Sequence, residues 1–345
     1  MMLALPHIGR LPAGPLNAIS DVAGVTVGHA TLAQGALQTG VTVIRPHQGD
    51  PFRDKVPAAA TVFNGFGKSI GLVQVQELGL LETPIALTNT LSVGSVATAQ
   101  IISAIQANPE IGRSDPTVNP LVFECNDGYL NDIQAMAISA AHYQQALANA
   151  APEFAQGAVG AGRGMSCFDL KGGIGSASRH ATIGDLQYCV GALVLANFGK
   201  LAALTLAGKH VGDELIRLRQ STAESPEMGS IIMIIATDAP LDARQLGRLA
   251  TRCGVGLGRT GSIYGHGSGD LALAFSTAQT VPYRAGSVLR RSFSLYDNLL
   301  DPLFEAVADS TEQAIVNALF AAETVAGRDG RQRQSLREAA AGLLP

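Results

Sequence analysis

Charged residues are scarce: Lys, Arg, Asp and Glu together make up 15% of the 345 residues. Lys and Arg number 24 against 28 Asp and Glu, which leaves a net charge of −4 and a pI near 6.0. The basic residues cluster only at Arg290-Arg291 and in the tail from Arg328 to Arg337, and both read as solvated surface. The absence of a basic patch argues against a nucleic-acid partner. Cysteine is equally rare. Cys125, Cys167, Cys189 and Cys253 show no CxxC spacing and no histidine in metal-ligand register, so four reduced, buried thiols in a cytoplasmic protein are expected, and no metal. No segment reaches 18 uninterrupted apolar residues, and the N-terminus MMLALPHIGRLPAGP has no basic leader, so neither a membrane span nor export is expected. Internal repeats and low-complexity tracts are missing as well.

Apolar residues, by contrast, reach 47%, with a mean hydropathy of +0.21. A chain this apolar buries a large core or a large subunit interface and is not disordered. Thirty-nine glycines imply many tight turns and close backbone approaches. Strands are expected at 21–30 and 40–45 (alternating Val and Thr), 57–63, 120–124, 188–197 with 202–206 as its partner, 231–236 and 271–276. Helices are expected at 92–107, 131–150, 241–253 and 310–325, the last starting at Ser310-Thr311-Glu312. The glycine-dense stretch 157–178 reads as a loop, and the polar stretch 212–228 as an exposed linker. Alternation of strands and helices gives an α/β or α+β layered fold.

Several short patterns could carry chemistry. Gly67-Lys68-Ser69-Ile70-Gly71 matches the GxSxG nucleophile elbow and follows an apolar strand. Two glycines in a glycine-rich chain make that a weak signal. Gly256-Leu257-Gly258-Arg259-Thr260-Gly261 is formally GxGxxG, but a helix precedes it where the dinucleotide motif needs a strand. A P-loop reading of Gly67-Lys68-Ser69 fails because Val62 stands where its first glycine belongs. Gly229-Ser230 is ordinary turn chemistry by composition. Its setting is not: Ser230 opens a buried β-branched run directly after a polar linker. Cutting the bond before it would give Ser230 an α-amine of pKa about 8, able to take the hydroxyl proton without a histidine.

Gly265-His266-Gly267-Ser268-Gly269-Asp270 precedes the strand 271–276. In extended backbone Ser268 and Asp270 share a side, where a hydroxyl and a carboxylate could orient a serine and hold its ammonium. A polar turn explains the same residues, and His266 receives no role. Asn197 ends the apolar strand 188–196, either as a turn former or as a donor to an oxyanion. The cluster Glu124-Cys125-Asn126-Asp127-Gly128-Tyr129 reads mostly as a turn, with Tyr129 able to offer a phenol.

Taken together, GVTVGHATL (24–32), GVTVIRP (40–46), NGFGKSIG (64–71), TPIALTNTLSVG (83–94), ECNDGYLND (124–132), GRGMSCFDLKGGIGSASR (162–179), LANFG (195–199), GSIIMIIATDAPL (229–241) and GHGSGDLALAFST (265–277) resemble the L-aminopeptidase/D-Ala-esterase/amidase (DmpA-type) family, which includes β-aminopeptidases. The resemblance covers nearly the whole chain. It implies an αββα sandwich of the N-terminal-nucleophile hydrolase kind, shared with ornithine acetyltransferase, formed by a single domain over 1–345. It implies self-cleavage between Gly229 and Ser230 into fragments 1–229 and 230–345. It implies Ser230 as nucleophile, Ser268 and Asp270 as its supporting pair, Asn197 in the oxyanion hole and Tyr129 beside the substrate. The supporting acid is glutamate in some members, one methylene longer than Asp270. No cofactor is implied, and a homo-oligomer, often a tetramer, is. The expected substrates are small peptides, amides or esters. A Ser69 hydrolase, an acyltransferase and a catalytically silent binding or assembly protein are the alternatives.

Overall fold

The alternating Val and Thr residues of the N-terminal third form a hairpin of β1 (Thr26–Gln34) and β2 (Leu37–Arg45), closed by a turn in which Gly35 takes a φ of 53°. The protein is described by a computed structural model covering residues 5–219 and 229–341. After β3 (Asp54–Gly65), β4 (Ile85–Asn89) joins the free edge of β2, and β5 (Leu121–Cys125) lies parallel to β4. β1, β2, β4 and β5 make a four-stranded sheet.

A seven-stranded sheet lies against it. β6 (Ser166–Cys167) and β7 (Leu170–Lys171) form a short hairpin that leads into β8 (Gly173–Ile183), the antiparallel partner of β9 (Leu186–Asn197). β10 (Ser230–Thr237) runs antiparallel to β9 and parallel to β11 (Gly269–Ser276), which in turn pairs with β3. Two short strands at 80–81 and 281–282 complete this sheet on β3.

Between the sheets, Val27, Ile44, Leu87 and Phe123 of one pack against Leu193, Leu195, Ile232, Ile234 and Leu273 of the other. The far face of the large sheet buries Val194, Met233, Ile235 and Ala272 under α3 (Ala243–Arg259) and α4 (Asp301–Ala321). The far face of the small sheet buries Val41, Val43 and Val122 under α1 (Val93–Ala107) and α2 (Ala140–Ala148). The layers are therefore αββα. Each fully buried aliphatic side chain contributes about 1.5–3 kcal/mol, so two-sided burial of β10 explains its uninterrupted apolar run. Among the described residues the segment Thr90–Ala107 matches a membrane span in length and hydropathy. It is pinned to the small sheet by Gln100, whose amide bonds the Pro84 carbonyl and the Leu121 N–H.

Several expected elements differ. The stretch 157–178 is not one loop: its second half is β8, and glycine is needed there because α4 crosses it. A Cβ on Gly175 would stand 1.9 Å from the Ala314 carbonyl oxygen. Gly175→Ala is expected to lower stability by about 1–3 kcal/mol, read as a shift in denaturant midpoint. Residues 202–206 do not partner β9; Thr205–Leu206 pair with Lys209–His210 instead. The helix expected at 131–150 shortens to α2, with a single helical turn at Ile133–Ala135 before it. The C-terminal helix starts at Asp301 with Pro302 in its first turn, and Ser310, Thr311 and Glu312 are buried in its middle. Residues 212–219 of the expected linker are helical, and Ser225-Pro226 lies outside the described residues.

Candidate active site

Ser230 is the first residue of β10 and is 6% exposed. Its register partners are Asn197, the last residue of β9, and Gly269, the first of β11. The Gly269 N–H donates to Ser230 Oγ at 3.1 Å and to the Gly229 carbonyl at 3.2 Å. One donor thus touches both the hydroxyl that would attack and the carbonyl it would attack. Glycine is required on both sides of this contact. A Cβ on Gly229 would lie 2.3 Å from the Asn197 carbonyl oxygen, and one on Gly269 would lie 2.7 Å from that of Phe66.

Ser268 and Asp270 flank that donor. Ser268 Oγ donates to Asp270 Oδ1 at 2.6 Å, and the two side chains are 1% and 0% exposed. The pairing of β11 with β3 breaks register between Asp270 and Leu271, a bulge of the kind that re-aims a side chain next to a site. Asn64, at the end of β3, steadies the turn by donating to the carbonyls of Gly265, His266 and Ser268. His266 packs its ring 6.4 Å from that of Phe66.

Asn197 faces Ser230 across the β9–β10 pair. Its Oδ1 accepts the Ser166 N–H at 2.8 Å, and its Nδ2 donates to the Asn126 carbonyl at 3.0 Å. These two partners leave one amide hydrogen, on the side chain opposite Ser230. Tyr129 stands farther out, 38% exposed, and joins the site through two routes. Along the chain it follows Asn126. Through space, Arg333 stacks 3.7 Å from its ring and donates from Nε to Ser166 Oγ at 3.0 Å.

Glu124, the last residue of the expected strand 120–124, is a buried member of β5. Its Oε1 accepts the Lys68 N–H at 2.7 Å, and its Oε2 accepts the Thr90 hydroxyl. Gly67 lies between this carboxylate and the site: a Cβ there would be 3.5 Å from Glu124 Oε1 and 3.9 Å from Gly269 Cα. A carboxylate interrupting the apolar run PLVFE was the available signal. Burial, aided by the charges of Glu124 and Asp270, pushes the neighbouring Cys125 thiol well above its ordinary range, so it is no nucleophile.

Ser230, Gly229, Asn197, Ser268 and Asp270 therefore meet around Gly269, with Tyr129 at the periphery. Ser69 does not join them as a nucleophile: its buried Oγ has no hydrogen-bond partner among the described residues, whereas an elbow serine needs a base. The GxGxxG pattern lies at the end of α3. Gly256 there serves helix packing, since a Cβ would meet the Ala308 carbonyl oxygen of α4 at 2.5 Å. Ser166 and Arg333 were not foreseen, because nothing local marks them.

An αββα sandwich that opens a buried central strand with a serine defines the N-terminal-nucleophile class of hydrolases. The chain belongs to peptidase family S58, which it matches over residues 17–333. It is 38% identical to the β-peptidyl aminopeptidase BapA of Sphingosinicella microcystinivorans, over 97% of this chain and 88% of that protein. Among solved structures it is similar to PH0078 from Pyrococcus horikoshii OT3, at 48% identity and a TM-score of 0.91 over 96% of this chain and 94% of that one. It is also similar to the L-aminopeptidase D-Ala-esterase/amidase of Ochrobactrum anthropi, described as a prototype serine aminopeptidase with a variant Ntn hydrolase fold. There the identity is 34% and the TM-score 0.88, over 96% and 95% of the two chains. The protein is a hydrolase, a peptidase of the aminopeptidase type.

Proposed function

We propose that this aminopeptidase matures by cutting its own Gly229–Ser230 bond and then works through an acyl-enzyme on Ser230. The shared Gly269 N–H, bonded to both Ser230 Oγ and the Gly229 carbonyl, carries this reading. In the uncut chain Ser230 Oγ attacks the Gly229 carbonyl carbon. The C–N bond breaks as the C–O bond forms, giving an ester and a free Ser230 amine. Water then hydrolyses the ester, leaving fragments 1–229 and 230–345 within one domain. Every residue of β10 is buried, which holds the second fragment in the core.

In turnover the Ser230 amine takes the hydroxyl proton, Oγ adds to the substrate carbonyl, and the oxyanion accepts from Asn197 Nδ2 and the Gly269 N–H. The amine hands its proton to the leaving nitrogen, and water releases the acyl product. Ser268 and Asp270 support the amine; Asp270 favours its charged form. Glu124 is suited to receive the substrate's ammonium, with Tyr129 on the outer side. The substrates are short peptides, amides or esters with a free N-terminal L-, D- or β-amino acid. One methylene of difference is worth about 1–3 kcal/mol, so preference among them is graded.

The test compares short peptides with free and with acetylated N-termini, one series beginning with an α- and one with a β-amino acid. Only the free peptides should lose their first residue. Equal hydrolysis of the acetylated ones would overturn the aminopeptidase site as drawn. We further propose a cytoplasmic homo-oligomer, a tetramer, with the exposed Val288, Leu289, Phe293 and Tyr296 covered by other copies of the chain, which native mass spectrometry would reveal.

A further inference from the structure

Lys171 is fully buried, on a hairpin tied to the end of β9 by the Ser166 N–H bond to Asn197 and the Phe168 N–H bond to the Phe198 carbonyl. Its Nζ donates to three backbone carbonyls: Gly162 at 2.9 Å, Met165 at 2.8 Å and Gly172 at 2.7 Å. These carbonyls bracket Ser166, and Ser166 is also the register partner of Lys171 in the β6–β7 hairpin. The Ser166 N–H is the donor that fixes Oδ1 of Asn197. At the tip of the hairpin, Phe168 and Asp169 adopt φ values of 51° and 58°, a left-handed backbone that side-chain-bearing residues resist. Such a conformation persists only where surrounding contacts over-determine it.

Stability alone does not account for this lysine. Burial lowers the Lys171 pKa to about 7, against the opposing charges of Glu323 and Asp127, so holding an ammonium there is costly, and apolar residues of similar volume commonly serve a core as well or better. We propose that Lys171 is a positioning residue for the hydrolytic reaction. Its ammonium clamps the 162–172 segment so that the Ser166 N–H holds the Asn197 amide with its remaining hydrogen aimed at the carbonyl attacked by Ser230. The chain of contacts is continuous: Nζ to the Met165 carbonyl, the next residue's N–H to Asn197 Oδ1, and Asn197 opposite Ser230. Without the clamp the hairpin relaxes and Asn197 loses one of the two partners that fix the orientation of its amide.

This inference rests on the proposed role of Asn197, and the test separates the two. Lys171→Met keeps the length and removes the donors. Turnover is measured on the cleaved fraction, quantified by intact mass, for Lys171→Met, Asn197→Ala and the double variant. Lys171→Met alone should lower kcat about 10–100-fold, the scale of an ångström-level misplacement, with KM changed less than about threefold. Added to Asn197→Ala it should lower kcat no further than about threefold, because its effect passes through that side chain. An equal loss in both backgrounds, or no loss in either, overturns the inference alone. An Asn197→Ala enzyme with wild-type kcat overturns the oxyanion role and the inference with it. Should Lys171→Met fail to fold, Lys171→Gln, which keeps two donors, enters the same cycle. Failure of both to fold assigns the lysine to the core and overturns the inference.

Discussion

Ser230→Ala is expected to yield a chain that stays whole and a loss of kcat approaching a millionfold, the scale seen when a serine hydrolase loses its nucleophile. Both effects follow from one atom. In the proposed mechanism Oγ attacks the Gly229 carbonyl in the precursor and the substrate carbonyl afterwards. Without it no ester forms, no α-amine is released, and no base appears. The fold should survive. The side chain is nearly buried, an alanine fills the same place, and the Gly269 N–H keeps the Gly229 carbonyl as an acceptor. Intact mass spectrometry under denaturing conditions and a turnover assay read the two effects together. Fragments splitting at another bond, or turnover by the uncut variant, would return attention to other hydroxyls. In the wild type the same atom pair sets the pH dependence. The α-amine must be neutral to act as base, so kcat/KM should rise as pH increases through its pKa, ordinarily about 8. The acid limb moves upward to the extent that Asp270 stabilises the ammonium.

Asn197→Ala is expected to lower kcat by about 10²–10³-fold, or about 2.7–4 kcal/mol of transition-state stabilisation, with KM nearly constant. The amide hydrogen matters where negative charge develops on oxygen, not in the ground-state complex, so the loss falls on kcat. Gly269 N–H, the second donor, keeps the residual rate above that of Ser230→Ala. The substitution also strips partners from the Ser166 N–H and the Asn126 carbonyl. An unsatisfied buried group costs about 1–3 kcal/mol, so a lower melting temperature accompanies the kinetic defect. Rates taken well below that temperature separate the two. A variant with unchanged kcat would show that the oxyanion is held by backbone donors alone.

Much of this was legible in the residues themselves. The run Ser230–Thr237 is apolar and β-branched without a single charge, and only a strand covered on both faces has that composition. The two-residue alternation placed Ser268 and Asp270 on one side, and their hydroxyl and carboxylate do bond. Asn197 stood out as an amide closing a wholly apolar strand. These are local regularities, in which period and polarity act within a few residues. The resemblance across nine segments then supplied the layer order that no local pattern could.

Contacts between segments distant in sequence decided the rest. Gly175 looks like a loop residue until α4 passes across it at backbone contact, and composition cannot announce a neighbour more than a hundred residues away. Glu124 looks like no more than the polar end of a strand until the Lys68 N–H and the Thr90 hydroxyl close on its two oxygens. Lys171 and Ser166 sit in the glycine-rich segment 162–179 with nothing there to single them out, and their significance comes from a carbonyl cage and one hydrogen bond to Asn197. Which strands are buried and which side chains could do chemistry can be read along the chain, because periodicity and polarity are properties of neighbouring residues. Which of those side chains meet Ser230 depends on how the sheets and loops come together, because a hydrogen bond works within about 3 Å whatever the separation in sequence.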